Sequence, residues 1–291
     1  TDDFAFVYSD SIFLDNAYLK IGFPSFDITV GKQQISLGTG YVWNPTDLFN
    51  FKDYADPTYE QPGHDAIRID LPVGSRYGFN AMYLPEGNWE SSGKLLRFKG
   101  GFFHFDYVFT YIERQWQLSD FTFSQPVDNN RRLFGGEFTG ELFGLGIWGE
   151  YGYNTLEPLD DFWEIVLGTD YTLDNGTYLM AEYYYNGLAK SDYVNYDLND
   201  WMRFLLAESR SISRDNLYIY VDYPLTDLIH LNNSAVVSLS DMSLALIPGL
   251  QYSLYQDVEL TVFINIYTGK EETAYNSDLG TGGIARLRVY F

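Results

Sequence analysis

Apolar and polar residues alternate in short segments along almost the whole of this 291-residue chain. In the clearest segment, Phe105, Tyr107 and Phe109 alternate with Asp106 and Val108. Alternation with a period of two is typical of β-strands that have two different faces. No run of 18 or more apolar residues occurs, which argues against helices that cross a membrane. A closed membrane β-barrel accounts for both observations, because its outer face meets lipid and its inner face meets water.

Composition narrows the class of protein further. Aromatic residues make up 19% of the chain, which suits a barrel with a girdle of amphipathic rings at each membrane interface. The formal net charge is −22, so nucleic acid is disfavoured as a partner. Cysteine is absent, which excludes disulfides and thiolate metal sites. The alternative is a tyrosine-rich soluble β protein.

The spacing of the alternating segments predicts an all-β chain folded as one transmembrane antiparallel β-barrel over residues 1–291. We count about 16 strands, within a range of 14 to 18. The first strand is expected at Phe4–Tyr8 and the last ends at Phe291. An even number of strands places both termini on the periplasmic side of a bacterial outer membrane. A barrel of this width leaves an aqueous lumen, whereas about eight strands would be filled by side chains.

Short turns and long loops alternate along the chain. Asp174-Asn175-Gly176 is a strong hairpin turn, because its residues tolerate positive φ. Turns are also expected at Gly100-Gly101 and at Leu142-Phe143. The long loops are expected on the external side. One spans residues 39–63 and is either folded into the lumen or a plain surface excursion, and the other spans residues 188–212.

The second long loop contains a segment, Asp197–Ser209, that could form a short helix. Trp201, Leu205 and Leu206 would lie on one face of that helix.

Charged residues on the predicted inner face fall into two sectors. The basic sector is predicted to contain Lys20, Lys32, Arg68, Arg97, Lys99, Arg286 and Arg288. The acidic sector is predicted to contain Asp106, Glu137, Glu150, Glu164, Asp170, Glu182, Asp222 and Glu259. Such opposite walls would orient dipolar solutes in a pore. The alternative is that these charges only pair with one another and keep the wall wetted.

Lys32 needs a special geometry to join the basic sector. Strict alternation would place it against lipid, where a lysine at the membrane midplane costs about 2–4 kcal/mol. We therefore expect a β-bulge near Gly31 that turns Lys32 into the lumen.

Two segments resemble known outer-membrane proteins. The final strand, ending in an aromatic residue, resembles the terminal strand by which bacterial outer-membrane proteins are recognised for insertion. A second segment resembles a porin-like group of outer-membrane barrels, and the matching residues are Gly31, Lys32, Gln33, Gly38, Asn44, Pro45 and Asp47. Lys32 and Leu37 depart from that pattern, which has arginine and tryptophan there. The resemblance covers about 20 residues, and it implies a barrel and an inward loop after the third strand.

No catalytic, metal or cofactor site is predicted. The histidines, His64, His104 and His230, do not join a serine and an orienting acid in any evident arrangement. The chain is therefore predicted not to be an enzyme, and no phosphate-binding or dinucleotide-binding motif occurs in it. The predicted function is passive diffusion of small hydrophilic solutes or ions across the outer membrane.

The alternative function is a structural or docking barrel whose lumen is occupied by a loop or a partner protein. The expected partners are outer-membrane lipid and lipopolysaccharide, with a homo-oligomer or a periplasmic protein as further alternatives.

Overall fold

A single antiparallel sheet of 15 strands makes up most of the computed structural model, which describes residues 16–50, 61–118, 127–157 and 159–290. Each strand pairs with the strands next to it in sequence. The first eight strands are β1 (Ala17–Gly22), β2 (Asp27–Gln34), β3 (Gly63–Val73), β4 (Tyr77–Leu84), β5 (Gly93–Phe102), β6 (Phe105–Leu118), β7 (Val127–Leu142) and β8 (Leu145–Leu156). The others are β9 (Phe162–Thr172), β10 (Tyr178–Asn186), β11 (Asp215–Thr226), β12 (Ile229–Ser238), β13 (Leu244–Tyr255), β14 (Val258–Thr268) and β15 (Thr281–Val289).

The all-β prediction is confirmed, and 15 described strands fall within the predicted range. The strand predicted at Phe4–Tyr8 and the terminal Phe291 lie outside the described residues.

The two faces of the sheet differ as the alternation predicts. On β3, Ile67, Ile69 and Leu71 are exposed on the outer face, whereas Ala66 on the inner face is buried. Exposed apolar residues on the outside and buried polar residues on the inside reverse the pattern of a soluble protein. The outer face is therefore suited to lipid.

Two predicted turns are displaced in the structure. β5 continues through Gly100 and Gly101, and the turn falls at Phe103-His104. A Cβ at Gly100 would lie 3.0 Å from the Tyr77 ring, so this glycine makes room for an aromatic neighbour rather than for a turn. The next hairpin turns one residue later than predicted, at Phe143-Gly144, where both residues have positive φ.

The bulge expected near Gly31 is absent, which corrects the placement of Lys32. β2 pairs with both neighbouring strands without a shift in register, so Lys32 stays on the outer face with Val30. Gly31 instead has a φ of 124°, and a Cβ there would lie 2.4 Å from the Ala17 carbonyl oxygen. The glycine allows β1 to approach β2 closely, and it does not change the face on which the following side chains lie.

One α-helix, α1 (Leu198–Leu205), lies in the long connection between β10 and β11, within the segment where the sequence predicts a helix. Asp197 caps its N-terminus, and the Asp197 and Asp200 side chains each accept a hydrogen bond from the other's backbone N–H. Leu205 and Leu206 are exposed, whereas Trp201 packs against buried apolar residues. Among the described residues, none of the helices has the length and apolar character needed to cross a membrane.

Candidate functional site

The connection after β2 begins with a segment that packs against the inner face of the sheet. We call residues 35–50 the inward segment. Ile35, Leu37 and Leu48 are buried together with inner-face residues such as Leu95 and Ile112. On its other side, Val42 and Trp43 of the segment are buried in a second apolar cluster, whose wall residues include Val166, Met180 and Tyr184. The segment is therefore enclosed by apolar contacts on two sides.

Glu150 on β8 binds the inward segment through backbone and side-chain donors. Its carboxylate accepts hydrogen bonds from the backbone N–H of Thr39 at 2.8 Å and of Gly40 at 3.1 Å. The N–H and hydroxyl of Thr46 donate to its other oxygen, at 2.5 and 2.8 Å. Gly38 is required beside this carboxylate, because it has a φ of +82° and a Cβ there would lie 2.6 Å from Glu150 Oε2.

Glu182 on β10 binds the next stretch of the segment in the same way. Three successive backbone N–H groups, those of Tyr41, Val42 and Trp43, donate to its carboxylate at 2.5, 2.8 and 3.1 Å. The indole N–H of Trp148 donates a fourth hydrogen bond at 2.8 Å. Glu182 is fully buried, so these donors replace the water that would otherwise solvate the carboxylate.

A buried network of ionised groups fixes the end of the inward segment. Arg210, from the connection between β10 and β11, pairs with Glu164 at 2.9 Å and donates to the backbone carbonyl of Asp47. Arg131 on β7 pairs with the other oxygen of Glu164 at 3.1 Å. Tyr184 also donates to Glu164, at 2.6 Å. The network ties the connection after β2 and the connection between β10 and β11 to the wall at one point.

Asp47 itself organises the turn that closes the segment. Its carboxylate accepts hydrogen bonds from the backbone N–H groups of Phe49 and Asn50, both at 3.0 Å. Burial raises the pKa of Asp47 above its ordinary value, although the hydrogen bonds from Asn50 and Phe49 act in the opposite direction. Burial alone would lower the pKa of Arg210, but the charge of Glu164 together with Tyr184, Asp47 and Glu150 outweighs it, so that the pKa of Arg210 is raised.

Apart from Lys32, the other predicted charges lie on the inner face, nearer the short turns. Three basic residues form ion pairs there: Lys20 with Asp27 at 2.9 Å, Arg68 with Asp70 at 2.7 Å, and Arg97 with Glu137 at 3.0 Å. Strand register places Lys99, Arg286 and Arg288 on the same face. Among the predicted acids, Asp170 accepts from Tyr178, Asp222 lies beside His230, Glu259 accepts from Gln251, and Asp106 is exposed opposite Gly101.

The structure therefore divides the predicted acidic sector into acids that the inward segment covers and acids that it leaves uncovered. Glu150, Glu164 and Glu182 face inward, but the inward segment and its partners cover them. Sequence reasoning missed Arg131 and Arg210, whose partners come from distant parts of the chain. The role of the remaining charges as pore lining stays a prediction.

Comparison with known proteins gives the fold. No family model and no curated protein sequence matches the chain. The trimer form of in-vitro folded OmpT, an outer membrane protein of Vibrio cholerae, is similar over 97% of this chain and 82% of that chain, with a TM-score of 0.50 and 12% identity. A loop L8 deletion mutant of OmpT is similar over 96% of this chain and 80% of that chain, with a TM-score of 0.48 and 13% identity. At this identity, the similarity concerns the fold.

The prediction that the chain is not an enzyme is withdrawn because of this similarity. One fold hosts unrelated functions, so a fold shared with OmpT does not exclude catalysis. The structure also brings together groups that the sequence left apart. His230 Nδ1 lies 3.0 Å from Asp222 Oδ1 on the inner face, and both side chains are partly exposed. An Asp–His pair of this kind is a common element of general-base sites.

The similarity to the OmpT trimer form covers almost the whole chain, and it agrees with the continuous antiparallel sheet and its exposed apolar outer face. The chain has the fold of a bacterial outer-membrane β-barrel.

Proposed function

We propose that this barrel is a passive channel for small hydrophilic solutes, narrowed by the inward segment. The proposal rests on uneven coverage of the inner face. Asp106 on β6 and Glu141 on β7 lie on that face near the short turns, and both are exposed. Glu137 and Glu150, farther along β7 and β8, are 5% and 2% exposed. Open space on the inner face between the short turns and the segment is consistent with a path for solutes into the barrel.

The charges near this space support a path for polar solutes. The side chains of Lys20 and Asp27 are 56% and 36% exposed, and those of Arg68 and Asp70 are 35% and 29% exposed. Inner-face charges with this much accessible surface are solvated by water, and not only by each other. A hydrated wall lowers the cost of passage for hydrophilic solutes and raises it for apolar ones.

Solute uptake into proteoliposomes tests the proposal. Refolded protein should admit small sugars and exclude larger ones, as measured by swelling rates. Ile284→Trp should slow uptake, because it adds bulk on the inner face of β15. Leu287→Trp is the matched control, because Leu287 lies on the outer face of the same strand and is 60% exposed. Uptake no faster than in empty liposomes would contradict a channel.

A second candidate function is a structural or docking barrel with an occupied lumen. The observation that favours it is the pair of apolar clusters that enclose the inward segment. A segment packed in this way resists displacement, since its withdrawal would expose both clusters to water. This barrel would fold and insert normally and yet admit no solute.

A further inference from the structure

Two neighbouring short turns carry phenylalanine at their tips. Phe103, between β5 and β6, is 81% exposed, and Phe143, between β7 and β8, is 93% exposed. Both have a φ of 54°, a conformation that is uncommon and strained for a bulky residue. Four of the other short turns have small or polar tips: Pro24-Ser25, Gly74-Ser75, Asn175-Gly176 and Gln256-Asp257. The turn at Asp227-Leu228 also carries an apolar residue, and Leu228 is 55% exposed, but its φ is not positive. A strained backbone with an exposed ring, found at two adjacent turns, indicates a partner for these rings.

A cluster of charges marks the opposite end of the same strands. On the outer face, Glu113 of β6 pairs with Lys94 of β5 at 2.9 Å and with Arg132 of β7 at 3.1 Å. Charged side chains on the lipid face are strongly destabilising at the midplane and tolerated near the interface. This cluster therefore sets the outer edge of the apolar band in this part of the barrel.

The length of β6 then fixes the position of the turn. Ten residues separate Phe103 from Glu113. At about 3.4 Å per residue and a tilt of about 40°, they span about 26 Å along the membrane normal. The outward apolar band of such barrels is about 25 Å tall. The strand is only just long enough, so its turn lies at the inner edge of the hydrocarbon and not beyond it.

Another hairpin shows the contrast. On the outer face before β9, Asp161 accepts a hydrogen bond from Tyr153 and marks the outer edge there. Thirteen residues separate Asp161 from Asp174, at the start of the polar turn. The same geometry gives about 34 Å, so this turn extends about 9 Å past the apolar band and into water.

We propose that the turns at Phe103 and Phe143 lie in the inner-leaflet interface of the membrane, with both rings in contact with lipid. The apolar surface continues from these tips onto the outer face, where Phe102 is 62% exposed and Leu142 is 45% exposed. The occupant of the patch is therefore the lipid that already covers this face. The barrel is anchored on one side by phenylalanine, while the polar turn at Asn175-Gly176 extends beyond the membrane into water.

Spin labels test this placement, and the absence of cysteine from the chain makes single labelling sites available. Phe103→Cys, Phe143→Cys and the matched control Asn175→Cys would each be labelled in full-length protein refolded into phosphatidylcholine vesicles. Collision with oxygen, which partitions into lipid, and with a water-soluble nickel complex is then measured. Replacing a strained phenylalanine by a smaller residue at an exposed tip leaves the fold intact, and protease resistance of each labelled barrel checks this.

The labels at positions 103 and 143 should be accessible to oxygen and shielded from nickel, and the label at position 175 should show the reverse. Equal nickel accessibility at positions 143 and 175 would overturn the proposal, because the turn would then lie in water. Shielding of positions 103 and 143 from both reagents would also overturn it, because a second copy of the chain would then cover the patch.

Discussion

The backbone N–H of Val42 donates a hydrogen bond of 2.8 Å to Glu182 Oε1, which joins the inward segment to strand β10. Glu150 on β8 binds the inward segment on either side of Val42, because it accepts hydrogen bonds from the backbone N–H groups of Thr39 and Thr46. Both carboxylates bind backbone donors, so the position of the segment depends less on its own side chains than on two acids of the wall.

Glu182→Ala should destabilise the barrel by about 2–4 kcal/mol. The change leaves three backbone N–H groups and the Trp148 indole N–H without their acceptor in a buried site. Urea unfolding in lipid vesicles measures the effect. Glu141→Ala is the matched control, because Glu141 shares the inner face by register but is exposed, and it should change stability by less than about 0.5 kcal/mol.

Arg210→Ala should cost about 3 kcal/mol, because it removes one of the two arginines that form buried ion pairs with Glu164 and leaves Arg131 to balance that charge. Arg214→Ala removes a pair with Asp215 whose side chains are 39% and 28% exposed, and it should cost less than about 1 kcal/mol. Equal losses in the two variants would show that the buried network does not fix the inward segment.

Gly38→Ala should cost about 2 kcal/mol, since alanine is strained at a φ of +82° and its Cβ would meet both Asn44 and Glu150. Gly87→Ala is the control, because nothing lies within 4 Å of a Cβ at that position. Urea midpoints of the two variants compare them directly. A stable Gly38→Ala barrel would mean that the segment has room to move away from Glu150.

The cap of α1 should weaken in acid. Burial alone would raise the pKa of Asp197, but hydrogen bonds from Lys190 and from the Asp200 N–H lower it below its ordinary value. A depressed pKa adds stability above the unfolded value, and that stability is lost as the pH falls through the folded value, which places the loss below about pH 4. Because the side chain is half-exposed, the effect is under about 1 kcal/mol.

Hydrogen exchange of the α1 amides measures this dependence. Asp197→Asn keeps a good N-cap but has no charge to lose, so its protection should change less between pH 5 and pH 3 than that of the wild type. Identical changes in both proteins would assign the acid sensitivity to another group.

The alternation of residues was enough to predict the strands and their faces, because side-chain direction in a strand depends only on parity. The same parity placed Glu150 and Glu182 on the inner face correctly. Parity also placed Lys32 on the outer face, and the bulge that we expected to turn it inward is the prediction that was wrong. Gly31 instead permits close approach of β1, which leaves the register intact.

The partners of the inner-face acids could not be predicted from the sequence. Glu150 binds Thr46 across 104 positions of the chain, and Arg210 reaches Asp47 across 163. These contacts form because the curved sheet brings the connection after β2 against strands β8 to β10. Alternation carries no information about such pairs, so the acids were expected to face open water.

Single-channel conductance in planar bilayers tests the central claim most directly, with wild-type protein compared with Glu150→Ala/Glu182→Ala. We expect discrete open steps from the wild type. The double variant should give larger and less stable steps, because its inward segment is released from the wall. Silent membranes containing folded, inserted wild-type protein would contradict the channel and favour a barrel whose lumen is closed by its own segment.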